Sequence, residues 1–129
     1  MTRVIRPASP KDIPLLVKAR LDFLSALGYP VELYDPTKAA HQLEDFLTEH
    51  LGHDLFAWIA QEGETIAAAG FLQVIHVMWQ PTAPEGKYGR IINILTWPGF
   101  RYQGLAREIM QALIQEAREL NLSYIDLDA

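Results

Sequence analysis

The chain has 129 residues, half of them hydrophobic and 21% charged, and it contains no cysteine. This length fits one domain, residues 1–129, with a core that needs no cross-links. The missing thiols exclude disulfides, cysteine nucleophiles and thiolate metal sites. The net charge of −5 is uneven, with eight acidic and one basic side chain in residues 32–64. No broad basic face is left to follow a phosphate backbone, so no nucleic-acid partner is expected. No stretch approaches the ~18 apolar residues of a membrane helix, and the first residues lack an apolar export run. A cytoplasmic protein without a membrane partner is expected.

In chain order, residues 3–6 read as a short strand. Ser9-Pro10-Lys11-Asp12 reads as a helix start, and Pro14 moves the regular helix to about Asp12 onward. Leu16, Ala19, Phe23 and Leu27 follow at helical spacing until Gly28. A second helix opens at Asp35-Pro36, carries Ala39, Leu43, Phe46, Leu47 and His50 along one side, and closes at Gly52. Residues 55–60 and 65–78 are β-rich runs joined at Glu62-Gly63-Glu64. Gly70 inside the second run marks a bulge or a close backbone approach. After a loop at 81–86, residues 88–96 form a further strand, stopped by Trp97-Pro98-Gly99.

Residues 104–120 make the clearest helix. Leu105, Ile109, Leu113, Ala117 and Leu120 form one stripe, which Ala106, Met110 and Ile114 widen. Asn121 is a left-handed stop, and residues 123–128 read as a last strand. The order β-α-α-β-β-β-α-β ends in a parallel crossover added to an antiparallel meander. That predicts an α/β (α+β) fold with a mixed, mostly antiparallel sheet.

The segment that carries chemistry runs from Ile91 to Arg107. A strand ends, a short loop turns, and a helix opens at Gly104. The first amides of a helix have no internal partners and sit at the positive end of its dipole, which suits a pyrophosphate. Gly104 lets an anion approach the main chain, Ala106 holds the first turn near the neighbouring strand, and Arg101 and Arg107 add positive charge.

Arg101-Tyr102-Gln103-Gly104-Leu105-Ala106 resembles the Arg/Gln-x-x-Gly-x-Gly/Ala signature of the GNAT N-acetyltransferase superfamily, whose members bind acetyl-CoA with that loop. The Ile5-Arg6-Pro7-Ala8 opening, Asp12-Ile13-Pro14 and the Asn93–Arg101 approach to the loop are similar as well. The resemblance implies a three-layer α/β/α fold and acetyl-CoA as co-substrate, with no metal. It implies a primary amine of a small molecule or peptide as acceptor, acetylated by direct attack. By the same likeness, the backbone of Ile94, Leu95 and Thr96 would pair with the pantetheine arm. Arg101, Tyr102, Gln103, Gly104, Leu105, Ala106 and Arg107 would hold the diphosphate. The first two helices and the loop after Met78 would line the acceptor side.

Family members usually continue into another helix and a two-strand hairpin, with a tyrosine that protonates the thiolate. The chain is therefore expected to be C-terminally truncated, completed by a second copy, or a non-catalytic acyl-CoA-binding or dimerisation module. No catalytic residue is assigned.

Other residues fit plainer roles. His50 and His53 lack a third ligand, and the tryptophans fit packing, with Trp79 or Trp97 as alternatives for flanking an acceptor pocket. Asp126 and Asp128 share one strand face, which suits solvent unless that face lines a cleft. Gly28-Tyr29-Pro30 and Tyr34 fit a turn or a binding connection. An uncovered apolar face predicts a homodimer. Sedimentation velocity tests this, with a stable, monodisperse monomer as the contrary result.

Overall fold

The alternating apolar runs pair into one sheet of five strands, β1 (Arg3–Pro7), β2 (Leu55–Glu62), β3 (Thr65–His76), β4 (Lys87–Thr96) and β5 (Ile125–Leu127), adjacent in that order. The computed structural model describes residues 2–128, apart from the Val31 side chain; Met1 and Ala129 lie outside them. The first four strands run antiparallel and β5 runs parallel to β4. Helices α1 (Ile13–Ala26) and α2 (Pro36–His50) cover one face, and α3 (Leu105–Glu119) covers the other. The expected element order, mixed sheet and three layers are all present.

Strand alternation divides the core in two. Leu55, Ala57, Ile59, Ala69 and Phe71 meet Ile13, Leu16 and Ala19 of α1 and Leu47 of α2. Ala60, Ala68, Leu72 and Ile91 meet Leu105, Ile109, Leu113 and Ala117, the buried stripe of α3. Each fully buried leucine or isoleucine contributes roughly 1.5–3 kcal/mol of transfer free energy. At Gly70 α3 packs closely on the sheet: a Cβ there would stand 2.8 Å from Ile109 Cγ2. Any side chain at this position would push α3 off the sheet.

Local chemistry shifts some boundaries. Pro10–Asp12 forms a 3-10 turn before α1, so the α-helix proper begins at Ile13. Asp35 caps α2 by accepting from the Thr37 and Lys38 amides at 2.9 and 3.3 Å. Strand β3 stops at His76 and β5 is shorter than the sequence suggests, with register beginning only at Gly89 opposite Ile125. Asn121 takes the expected left-handed conformation, at φ 58°.

The opening of the chain is tied down by an ion pair. Arg6 donates from both terminal nitrogens to the Asp12 carboxylate at 2.9 Å, and the Ser9 amide adds a bond at 2.8 Å. The Arg6 hydrogen bond, against the opposing effect of burial, holds the Asp12 carboxyl at about 2; the Ser9 amide assists. A carboxyl depressed on folding contributes stability above its unfolded pKa, and that contribution fades as pH falls toward the folded value. Arg6→Met should therefore cost about 2 kcal/mol at neutral pH. The deficit should narrow between pH 4 and pH 2 in urea titrations; an undiminished deficit at pH 2 would refute the pairing.

Candidate functional site: an amide cradle, an open strand edge and a cleft

Asn93 controls the local geometry. It is buried and lies at φ 58° inside β4, a left-handed conformation that asparagine tolerates better than other non-glycine residues. The β3–β4 register runs from Ala69 opposite Leu95 to Phe71 opposite Ile92, leaving Gly70 to face two residues, Asn93 and Ile94. This is a β-bulge, and it bends β4 away from its neighbour. Asn93 Nδ2 donates to the Ala19 carbonyl at 3.3 Å, and its Oδ1 accepts from Arg20 at 3.3 Å. These contacts lock the bulge to α1.

Beyond the bulge β4 has no strand on its β5 side among the described residues. Its register with β5 ends at Ile91 opposite Leu127, and the last bond runs from the Asp128 amide to the Ile91 carbonyl at 3.0 Å. The Trp97 amide donates to Ala67 on β3 at 3.0 Å. By strand alternation Leu95 also faces β3, while the polar groups of Ile94 and Thr96 face outward. Arg101 Nε donates to the outward Thr96 carbonyl at 3.3 Å. The edge thus presents Ile94 and Thr96, with Leu95 providing the spacing between them.

The loop from Trp97 to Gly104 follows. Tyr102 and Gly104 both adopt left-handed conformations, at φ 65° and 78°. Alternating hand in successive residues turns their amides to a common side, an arrangement that suits an anion. Among the described residues, the amides of 101–107 have no acceptor; the first helical bond of α3 is Glu108 to Gly104 at 3.1 Å. Gly104 has nothing within 4 Å of where a Cβ would stand.

The Gln103 side chain is drawn back to Arg3 at 2.8 Å, and Arg3 is also bound to Glu62. Gln103 therefore anchors the loop to β1 and offers only its main chain. Leu105 is the residue that closes the first turn on the sheet, whereas Ala106 is exposed. This corrects the expected packing role of Ala106. It lines a cavity of about 430 Å³ with Ile94, Arg107, Met110, Phe23, Leu127 and Asp128. Cradle and open edge thus meet at one hollow.

On the opposite face, α1 and α2 stand apart. Arg20, Leu21, Leu24, Tyr29, Tyr34, Ala39, Gln42, Leu43 and Phe46 line a cavity of about 430 Å³. A second, of about 250 Å³, shares Arg20, Leu43 and Phe46 and reaches Phe71, Gln73 and Ile92. The first two helices thus line this cleft, while the loop after Met78 lines neither cavity. Trp97 bonds Asp22 through Nε1 at 2.9 Å, and Trp58 bonds Glu116 at 2.8 Å. Burial raises the Asp22 pKa, but hydrogen bonds from Lys18 and Trp97 outweigh it and hold the carboxyl below its usual value. Asp126 pairs with Arg90 at 3.3 Å. No group of three or more metal-binding side chains occurs among the described residues.

The profile of the acetyltransferase (GNAT) family matches residues 20–129. The chain belongs to the GNAT acetyltransferase family, a group of acyltransferases. A predicted acetyltransferase from Clostridium acetobutylicum, crystallised with acetyl-CoA, is 30% identical; the alignment covers 99% of this chain and 81% of that one, with a TM-score of 0.84. A GCN5-related N-acetyltransferase from Ralstonia eutropha JMP134 is 24% identical over 99% and 84% of the two chains, at a TM-score of 0.88. Glucosamine-6-phosphate N-acetyltransferase from Arabidopsis thaliana shares the fold at 18% identity and a TM-score of 0.69, over 100% and 83%. No curated protein matches by sequence.

Sequence reasoning missed Asn93 as the bulge and Arg20 as its partner. Period-two reading gave no signal for it: that Ile91 and Ile94 both pack on the α3 side, against strict alternation, is visible only in the structure. Asn93→Gly should keep the left-handed turn and lose only side-chain bonds, costing about 1–2 kcal/mol. Asn93→Val should add backbone strain and cost about 3 kcal/mol or more. Equal losses in chemical denaturation would show that backbone hand does not govern this site.

Proposed function

We propose that this chain transfers the acetyl group of acetyl-CoA to a primary amine of a small molecule or peptide by direct attack. The observation that carries the proposal is the run of acceptor-free amides at 101–107, set beside an open strand edge. A diphosphate suits that run because its charge is met by fixed N–H dipoles at a helix start, without side-chain reorganisation. Room for it exists at Gly104, where no atom would contact a Cβ. Arg107 and Arg101, both exposed, supply the flanking positive charge.

The outward groups of Ile94 and Thr96 would take the amide-bearing pantetheine arm as an added strand does. The hollow walled by Ile94, Ala106 and Met110 would take its apolar stretches. Acetyl-CoA supplies an activated thioester; the acceptor nitrogen forms the new C–N bond as the C–S bond breaks, the nitrogen losing one proton and the sulfur gaining one. Outward main-chain donors beside the bulge would polarise the acetyl oxygen. The α1–α2 cleft would present the acceptor from the other face, so that much of the rate gain comes from positioning.

Gly104→Trp should set a bulky side chain against the amides and lower acetyl-CoA affinity at least tenfold in calorimetry. Its φ penalty should cost roughly 1–2 kcal/mol of stability, so thermal unfolding must show the variant folded. Unchanged affinity in a folded variant would remove the cradle from the proposal.

A further inference from the structure

The acceptor cleft carries a single charge, and it is positive. Arg20 lines the two adjoining cavities toward the end of α1, and every other residue lining them is uncharged; a separate cavity between the helices, lined by Ile13, Val17, Ala40 and Glu44, lies toward the start of α1. Arg20 is half-buried, and its one hydrogen bond is to the neutral Asn93 Oδ1 at 3.3 Å. Among the described residues no carboxylate lies within ion-pair distance of it. The acids nearest in sequence are engaged elsewhere, Asp12 by Arg6 and Asp22 by Lys18 and Trp97.

A partly desolvated guanidinium without an acid partner is costly to keep, and its planar fork matches a carboxylate in two-point contact. Around it stand apolar and aromatic walls: Leu21, Leu24, Leu43, Phe46, Tyr29 and Tyr34. The side chain also reaches the bulge of β4 through Asn93, so a group held on Arg20 lies next to the strand edge. We infer that the acceptor is an apolar amine bearing a carboxylate, of the free amino acid type, with the carboxylate on Arg20 and the apolar body between α1 and α2. None of the acids in the 32–64 stretch lines these two cavities, and Glu44 faces the separate one toward the start of α1.

The inference rests on the acetyl-transfer reading for the role of the amine; Arg20 lines the acceptor cleft and also holds the bulge through Asn93. The test is calorimetric binding of phenylalanine and of phenethylamine, which has the same body without the carboxylate, to the full chain. Spermidine serves as a cationic probe, and acetyl-CoA is titrated separately. Phenylalanine should bind at least tenfold more tightly than phenethylamine. Arg20→Gln should abolish that difference, and Arg20→Lys should restore it in part. Tighter binding of phenethylamine or spermidine, no binding of the carboxylate probe, or a preference that persists in folded Arg20→Gln would overturn the inference. Should Arg20→Gln fail to fold, the comparison of probes on the unaltered protein decides. Carboxylate preference without any acetyl-CoA binding would instead overturn the acetyl-transfer reading and leave the Arg20 site standing.

Discussion

A single left-handed residue in the middle of a strand organises this molecule. Asn93 inserts one extra residue into β4, and everything beyond it is re-aimed. Before the bulge, β4 is an interior strand with partners on both sides. After it, the strand pairs among the described residues with β3 alone and turns the main chain of Ile94 and Thr96 outward. A backbone conformation of this kind costs of order 1–3 kcal/mol and persists only when its surroundings over-determine it. Here they do so through Ala19 on one side and Arg20 on the other.

The same constraint explains why the two halves of the site are neighbours. Gly70 sits opposite the bulge and lets α3 press against the sheet. The start of α3, with its outward amides, is thereby brought to the level of the freed edge. The cleft between α1 and α2 abuts the other face of the same point through Ile92 and Arg20. A small sequence element, Gly70 against Asn93-Ile94, thus joins three regions far apart in the chain.

Much of this was legible in the residues. The stripe Leu105, Ile109, Leu113 and Ala117 announces α3 because a helix half-covered by a sheet needs one apolar side, and all of these are buried. Gly70 was legible as a close approach because a bare position in an apolar strand leaves room for something. The bulge was not, since period-two reasoning treats each strand as continuous and a one-residue slip reverses every side chain after it. Arg20 escaped notice for a related reason. A charge on an amphipathic helix reads as solvated, and only the gap between α1 and α2 shows that it faces inward. The shortness of β5 was likewise hidden, because its extent depends on where β4 turns away.

The sheet keeps the two hydrophobic clusters apart, with α1 and α2 packed on one and α3 on the other. Substitutions on opposite sides of such a partition share few contacts, so their effects are close to additive. The walls of the α1–α2 cleft other than Arg20, which reaches Asn93, are therefore free to vary over generations without disturbing the loop ahead of α3. A lineage built on this plan is able to reshape one face of the sheet while the loop ahead of α3 stays the same.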